Sequence, residues 1–263
     1  VKDIRSITDN MGRVYEANRV SPFIYIIPDM GTDLTVVVEY TANIEARALA
    51  VVGQIDSTDL AVSSATTLSS DQANELVSTQ FANGNIITAY ADNDIARYII
   101  NTTQGEILST GIINNDTTNN LAIVHLANDD VMVAFRDMSS GQGRVVTINQ
   151  AGVVSDPQIF ATDSNTNLEM TTLQDDSVAI AYQNNTLSHG SLVKLDFSGN
   201  IISEITFNDT NISALDITTM INGDMIIAFA DTAGRLLTID AELNIVNSQV
   251  FSNFAPNQIV IAA

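Results

Sequence analysis

Asp9, Asp92, Asp137 and Asp231 stand four to seven residues ahead of Arg13, Arg97, Arg144 and Arg235. Arg47 fills the same place in the pattern, and the whole chain has only 10 basic residues. An aspartate and an arginine held across the base of one hairpin can form a charge-assisted, two-point hydrogen-bonded pair. The same arginines, arranged in a ring, could instead bind an anionic ligand. Repetition favours the first reading, because scaffold residues recur in every unit whereas binding sites break symmetry. Exposed pairs of this kind contribute about 0–1 kcal/mol each.

Other carboxylates cluster in Asp92-Asn93-Asp94, Asn128-Asp129-Asp130 and Asp175-Asp176. Calcium takes such oxygen ligands. That makes Asp92, Asp94, Asp129, Asp130, Asp175 and Asp176 weak calcium candidates, since none follows the spacing of a calcium loop and ordinary hairpin turns account for all of them. His125 and His189 stand alone, outside any His-x-His or His-Glu-x-x-His pattern, and read as packed or solvated single histidines. No Gly-x-Ser-x-Gly, phosphate loop or dinucleotide fingerprint occurs. With 31 acidic residues no single pair stands out at the roughly 5–10 Å that a glycosidase needs. The absence of cysteine removes disulfides, thiolate nucleophiles and thiolate metal sites. No catalytic residue and no resident cofactor are expected, and the chain reads as a non-enzyme.

The formal charge of -21 repels phosphate backbones and anionic lipid, which argues against nucleic-acid and peripheral membrane binding. No apolar run reaches the roughly 18 residues of a membrane-spanning helix. The first residue is Val1, so a processed product or an excised fragment is expected. Of the acidic residues 23 are Asp and 8 are Glu, and Asn, Thr and Ser are abundant. This composition favours turns and suits a protein outside the cell or on a virion. Asn-x-Ser/Thr sequons lie at Asn101, Asn115, Asn184, Asn208 and Asn211.

The elements that must position these residues repeat. Short apolar strands end in Ala89-Tyr90, Ala134-Phe135, Ala181-Tyr182 and Ala228-Phe229, spaced 45, 47 and 47 residues apart, with a degenerate copy at Glu39-Tyr40. Before each anchor comes a strand (23–27, 76–81, 121–126, 168–173, 215–221) and a hairpin signal such as Asn83-Gly84 or Asn222-Gly223. After each come a second turn, a third strand starting near the arginine, a Gly or polar turn and a fourth strand. Segment 68–76 looks briefly helical, where a connecting loop belongs. Four antiparallel strands per 44–50 residues match the period of a β-propeller blade. The anchor aromatics read as packing between blades; Tyr15, Tyr25 and Tyr98 are less regular and are where a surface platform would be sought.

The two ends complement each other. Thr8-Asp9-Asn10-Met11-Gly12-Arg13-Val14 aligns without a gap on Ala230-Asp231-Thr232-Ala233-Gly234-Arg235-Leu236, so residues 1–20 read as the second and third strands of a unit. Asn257–Ala263 reads as a first strand. We therefore expect one all-β domain over 1–263: a six-bladed propeller with complete repeats near 21–73, 74–118, 119–165, 166–212 and 213–255 and a composite blade from 1–20 and 256–263. Five blades plus a terminal strand is the alternative.

Period and strand count resemble β-propeller proteins in general, but the WD40, sialidase, kelch and integrin-type blade signatures are missing. What remains resembles propeller modules used in phage tails, virion fibres and bacterial surface proteins. The resemblance implies a non-enzymatic interaction module that binds a protein partner or copies of itself through loops 41–46, 136–143 and 183–190. A glycan-binding, receptor-recognising domain and a polysaccharide-acting enzyme are the competing expectations; only 6% aromatic residues and no Trp weaken the glycan reading.

Overall fold

A computed structural model describes residues 73–261, together with the short strands Ser6–Thr8, Val14–Glu16, Asn18–Ser21, Ile24–Ile26, Leu49–Ala50 and Thr66–Thr67. Between Ala73 and Ser252 the chain forms four consecutive units of four antiparallel strands. The first comprises Ala73–Gln80, Ile86–Asp92, Ile95–Asn101 and the opening half of the long strand Ile107–His125, whose closing half begins the second. Val131–Asp137, Gly143–Ile148 and Gln158–Ala161 complete that second unit. The third is Asn165–Thr172, Val178–Asn184, His189–Leu195 and Ile201–Asn208; the fourth is Ala214–Thr219, Met225–Ala230, Gly234–Ile239 and Ile245–Ser252. No helix occurs among the described residues.

Each turn from a first to a second strand forms where the sequence supplies left-handed residues. Gly84, Asp129, Asp176 and Gly223 have φ of 87°, 64°, 65° and 91° and turn the first strand into the second. The stretch 68–76 is not helical where it is described: from Ala73 it is strand, and Ala73 pairs with Asp92. Ladder pairing there overrides a weak local helix preference. The strand expected to run to Ile221 stops at Thr219, because Met220 and Gly223 close the turn and leave Ile221 exposed.

Second strands of the middle units are apolar on both sides because each of these units is covered on both sides. Val131, Val133 and Phe135 pack toward the first unit, while Met132 and Ala134 pack toward the third. Val178, Ile180 and Tyr182 face the second unit, and Ala179 and Ala181 face the fourth. Three apolar layers result, one between each adjacent pair of units. The first strands lie side by side at the inner edge. Three of them carry a bulge with one residue at positive φ: Glu75 (52°), Asn120 (55°) and Asn167 (51°). Two of these side chains reach the next unit. Glu75 Oε2 accepts from the Leu121 N–H at 3.1 Å, and Asn167 Nδ2 donates to the Ile212 carbonyl at 3.0 Å.

The fourth strand of each unit has its own bulge, and the bulged side chain is large and apolar: Ile113, Phe160, Phe207 or Phe251. It lies over a small residue at the start of the third strand. A Cβ on Gly143, Gly190 or Gly234 would come within 2.5–2.6 Å of the Phe160, Phe207 or Phe251 ring. Where the bulged residue is the smaller Ile113, the third-strand residue is Ala96.

Candidate interaction face

Turns between second and third strands share one face with the crossings between units. There the repeated Asp–Arg pattern takes shape. Arg97, Arg144 and Arg235 sit opposite Tyr90, Phe135 and Phe229 in the ladder, which aims each guanidinium back at the aspartate ending the second strand. Arg97 Nε is 3.2 Å from Asp92 Oδ2, Arg144 Nη2 is 3.2 Å from Asp137 Oδ2, and Arg235 Nε is 2.7 Å from Asp231 Oδ2. Asp9, Arg13 and Arg47 lie outside the described residues, as does loop 41–46.

The aspartate also caps its own turn. Asp137 is 1% exposed and accepts from the Ser139 N–H (2.9 Å), the Ser139 hydroxyl (2.7 Å) and the Ser140 hydroxyl (2.9 Å). Burial opposes its ionisation, but these hydrogen bonds and the Arg144 charge outweigh it and hold the carboxyl below the usual range. Asp231 behaves alike: burial is outweighed by the Ala233 N–H and Arg235. The third unit departs from the pattern at both positions. Asn184 replaces the aspartate and Ser191 the arginine, yet Asn184 Oδ1 still accepts from the N–H groups of Thr186 (3.1 Å) and Leu187 (3.0 Å). Turn capping is thus common to the second, third and fourth units, and the ion pair is added where the arginine is present.

Apolar side chains project from the tips of two neighbouring turns on this face. Met138 is 39% exposed and Leu187 60% exposed. The bases of these turns are fixed by contacts to the crossings that link the units: Arg136 Nη2 donates to Ser164 Oγ at 2.6 Å, Met138 N–H to the Thr117 carbonyl at 2.8 Å, and Asn185 N–H to the Ser164 carbonyl at 2.8 Å. Gln183 accepts from the Ile212 N–H at 2.7 Å and donates to Asn211 Oδ1 at 2.9 Å. Of the sequon asparagines Asn115 and Asn211 are exposed, both in crossings on this face, while Asn101 and Asn184 are buried.

The opposite face is stitched by carboxylates. His125 Nε2 lies 2.7 Å from Asp129 Oδ1, which also accepts from the Ala82 N–H of the first unit at 2.7 Å. Gln150 hydrogen-bonds the other Asp129 oxygen and accepts from Asn83 at 2.6 Å. The Ala82 N–H, with His125, lowers the Asp129 pKa. His189 opens a third strand, its Nδ1 3.5 Å from Thr206 Oγ1. Lys194, buried in the third unit, sits 2.8 Å from Asp175 Oδ2 and donates to the Ala241 carbonyl of the fourth at 3.0 Å. Burial opposes ionisation of Asp175, but Lys194 and Ser177 outweigh it and bring its pKa to about 2.

Among the calcium candidates Asp92, Asp129 and Asp175 hold basic partners, Asp130 accepts from Asn128 at 2.9 Å, and Asp94 and Asp176 occupy left-handed turn positions. Among the described residues no three acidic or histidine side chains converge on a metal position. Tyr98, sought as a surface platform, is instead 3% exposed and donates to the Gly152 carbonyl at 2.6 Å. Glu169, on the third unit's first strand, belongs to no motif and is not singled out by the sequence. Burial, and then the charge of Asp216, push it up to about 7. Its one signal is a carboxylate set between Leu168 and Met170, two core residues.

Four-stranded units packed face to face, with their first strands inward, define an all-β protein of the β-propeller class. Solved structures agree. The chain resembles the Dos1 propeller (13% identity, TM-score 0.57, 88% of this chain and 60% of that one) and BBS1N in complex with ARL6DN (13%, 0.55, 78% and 62%). It also resembles BamB from Moraxella catarrhalis (13%, 0.52, 98% and 76%). The chain thus spans less than two thirds of the length of the first two, and at this identity the likeness concerns fold alone. No family model and no curated protein matches the chain.

Proposed function

We propose that this chain is a non-enzymatic interaction propeller that binds a protein partner through the face bearing the turns 138–142 and 185–188. The observation that carries the reading is the pair of apolar tips, Met138 and Leu187, presented on turns whose bases are locked by hydrogen bonds to the crossings that link the units. A rigid base with exposed apolar anchors loses little entropy on binding, which is how a small patch acquires affinity. BBS1N, one of the solved relatives in fold, was crystallised with a protein, ARL6DN, which supports a protein as the partner class. Tyr90, Tyr98 and Tyr182 are buried, which weighs against a glycan-stacking platform. The composition supports a setting outside the cell or on a virion.

The test is site-specific photo-cross-linking in the native source, with the probe at Leu187 or, on the opposite face, at Ile221. One discrete protein adduct from Leu187, lost when Met138→Asp is added and absent from Ile221, is the expected result. Equal labelling from both positions overturns the choice of face. Binding to a glycan array that survives Met138→Asp overturns the partner class.

A further inference from the structure

Arg136 breaks the symmetry of the interaction face. The residue after the anchor aromatic is Ala91 in the first unit, Gln183 in the third and Ala230 in the fourth. Only the second unit places a charge there. Every other arginine or lysine whose side chain is described holds a carboxylate: Arg97 that of Asp92, Arg144 that of Asp137, Lys194 that of Asp175 and Arg235 that of Asp231. Among the described residues no carboxylate pairs with Arg136; Asp137, its neighbour in sequence, is turned onto Arg144. The chain has 31 acidic residues, so an unpaired arginine does not reflect a shortage of partners.

The guanidinium is half-buried. Its Nη2 donates to the Ser164 hydroxyl, and its Nε is buried with no hydrogen-bond partner. A cation partly removed from water without a counter-charge is unfavourable until an anion reaches it. Holding the crossing does not require the charge. Gln183 stands at the same position in the third unit and holds its own crossing with neutral groups, through the Ile212 N–H and Asn211 Oδ1. Ser164 also accepts from the Asn185 N–H at its carbonyl. Arg136 is therefore anchored on the crossing that joins the turn bearing Met138 to the turn bearing Leu187.

We propose that the protein partner of this face presents an Asp or Glu side chain to Arg136, flanked by apolar side chains that cover Met138 and Leu187. This rests on the partner-binding reading above and adds the partner's chemistry. One carboxylate suits the site better than a polyanion. The charge of -21 repels a strongly acidic partner at long range, whereas a two-point hydrogen-bonded pair with arginine acts at contact.

The probe is a displayed library of random peptides selected against the full chain, with the enriched sequences remeasured as synthetic peptides by fluorescence anisotropy. An Asp or Glu beside bulky apolar residues is the expected signature. Arg136→Gln keeps the neutral contact seen at Gln183, so its thermal unfolding midpoint should stay close to the wild type while affinity falls about 10- to 100-fold. Arg136→Glu should abolish binding, and the same peptide with Lys in place of its acid should bind Arg136→Glu better than it binds the wild type. That exchange decides the matter even where Arg136→Gln lowers the midpoint, because an arginine serving only the fold would not produce it. Peptides lost with Met138→Asp but indifferent to Arg136→Gln and to the charge exchange overturn this inference and leave the interaction face intact. Peptides indifferent to Met138→Asp as well overturn the face and the inference together. A library that yields no peptide distinguishing the wild type from Arg136→Gln also overturns the inference.

Discussion

Phe207 lies edge to face on Phe229, 5.3 Å between ring centroids, while its own ring covers Gly190 so closely that a Cβ there would sit 2.6 Å from ring carbons. The glycine is therefore a packing residue, selected by the phenylalanine above it. Gly190 has no positive φ that would demand glycine for the backbone. Gly190→Ala should cost about 1–3 kcal/mol, the range for overpacking a filled core. The first unit shows the remedy in Ala96 beneath Ile113. Phe207→Ile in the Gly190→Ala background should recover part of the loss, giving a favourable coupling in a double-mutant cycle measured by urea unfolding. Strict additivity would show that the two side chains do not compete for the same space.

The same residues mark what a chain of this kind discloses before it folds. Ala-aromatic anchors at a spacing of 45–47 residues are legible because every unit buries both faces of its second strand and so repeats the same apolar run. Turns are legible because Asn-Gly and Asp-Asp announce left-handed positions. The Gly–Phe lock is not, since the two residues are 17 apart in the third unit and meet only through a bulge. Tyr98 misleads for a similar reason: its phenol leaves the anchor pattern to satisfy the Gly152 carbonyl in the next unit. Glu169 stays hidden because a lone carboxylate among many carries no local mark until its neighbours are known.

The Asp137–Arg144 pair offers a second test, because the third unit presents its uncharged form. Asp137 is the most buried of the three paired aspartates and satisfies two serines as well as the arginine. Asp137→Ala strands those donors and should cost about 2–4 kcal/mol. Asp137→Asn keeps the turn cap but leaves Arg144 without its counter-charge, so the loss should be smaller. Asp137→Asn with Arg144→Ser reproduces Asn184 and Ser191 and should be milder still than the sum of its parts. Thermal unfolding of the wild type and these three variants decides it. If Asp137→Ala and Asp137→Asn are equally damaging, the ion pair rather than the cap is the stabilising element.

Glu169 makes stability fall as pH rises, opposite to the effect of the capping aspartates. Its folded pKa of about 7 exceeds the ordinary 4.5. Between those values the native state keeps a proton that the unfolded chain has lost, so the contribution of Glu169 to the free energy of unfolding is highest below about pH 4.5, declines through the window and levels off above about pH 7. The penalty at the upper plateau is at most about 3–4 kcal/mol, since a tenfold difference in proton affinity between the folded and unfolded chain is worth about 1.4 kcal/mol. Glu169→Gln holds the neutral form at every pH. Its unfolding free energy should match the wild type near about pH 4.5 and exceed it by about 1–3 kcal/mol near about pH 8. Asp216→Asn removes only the neighbouring charge, the lesser of the two causes, and should recover a smaller part of the difference. A Glu169→Gln variant whose advantage is the same at both pH values would show that packing, not protonation, governs this position between the innermost strands.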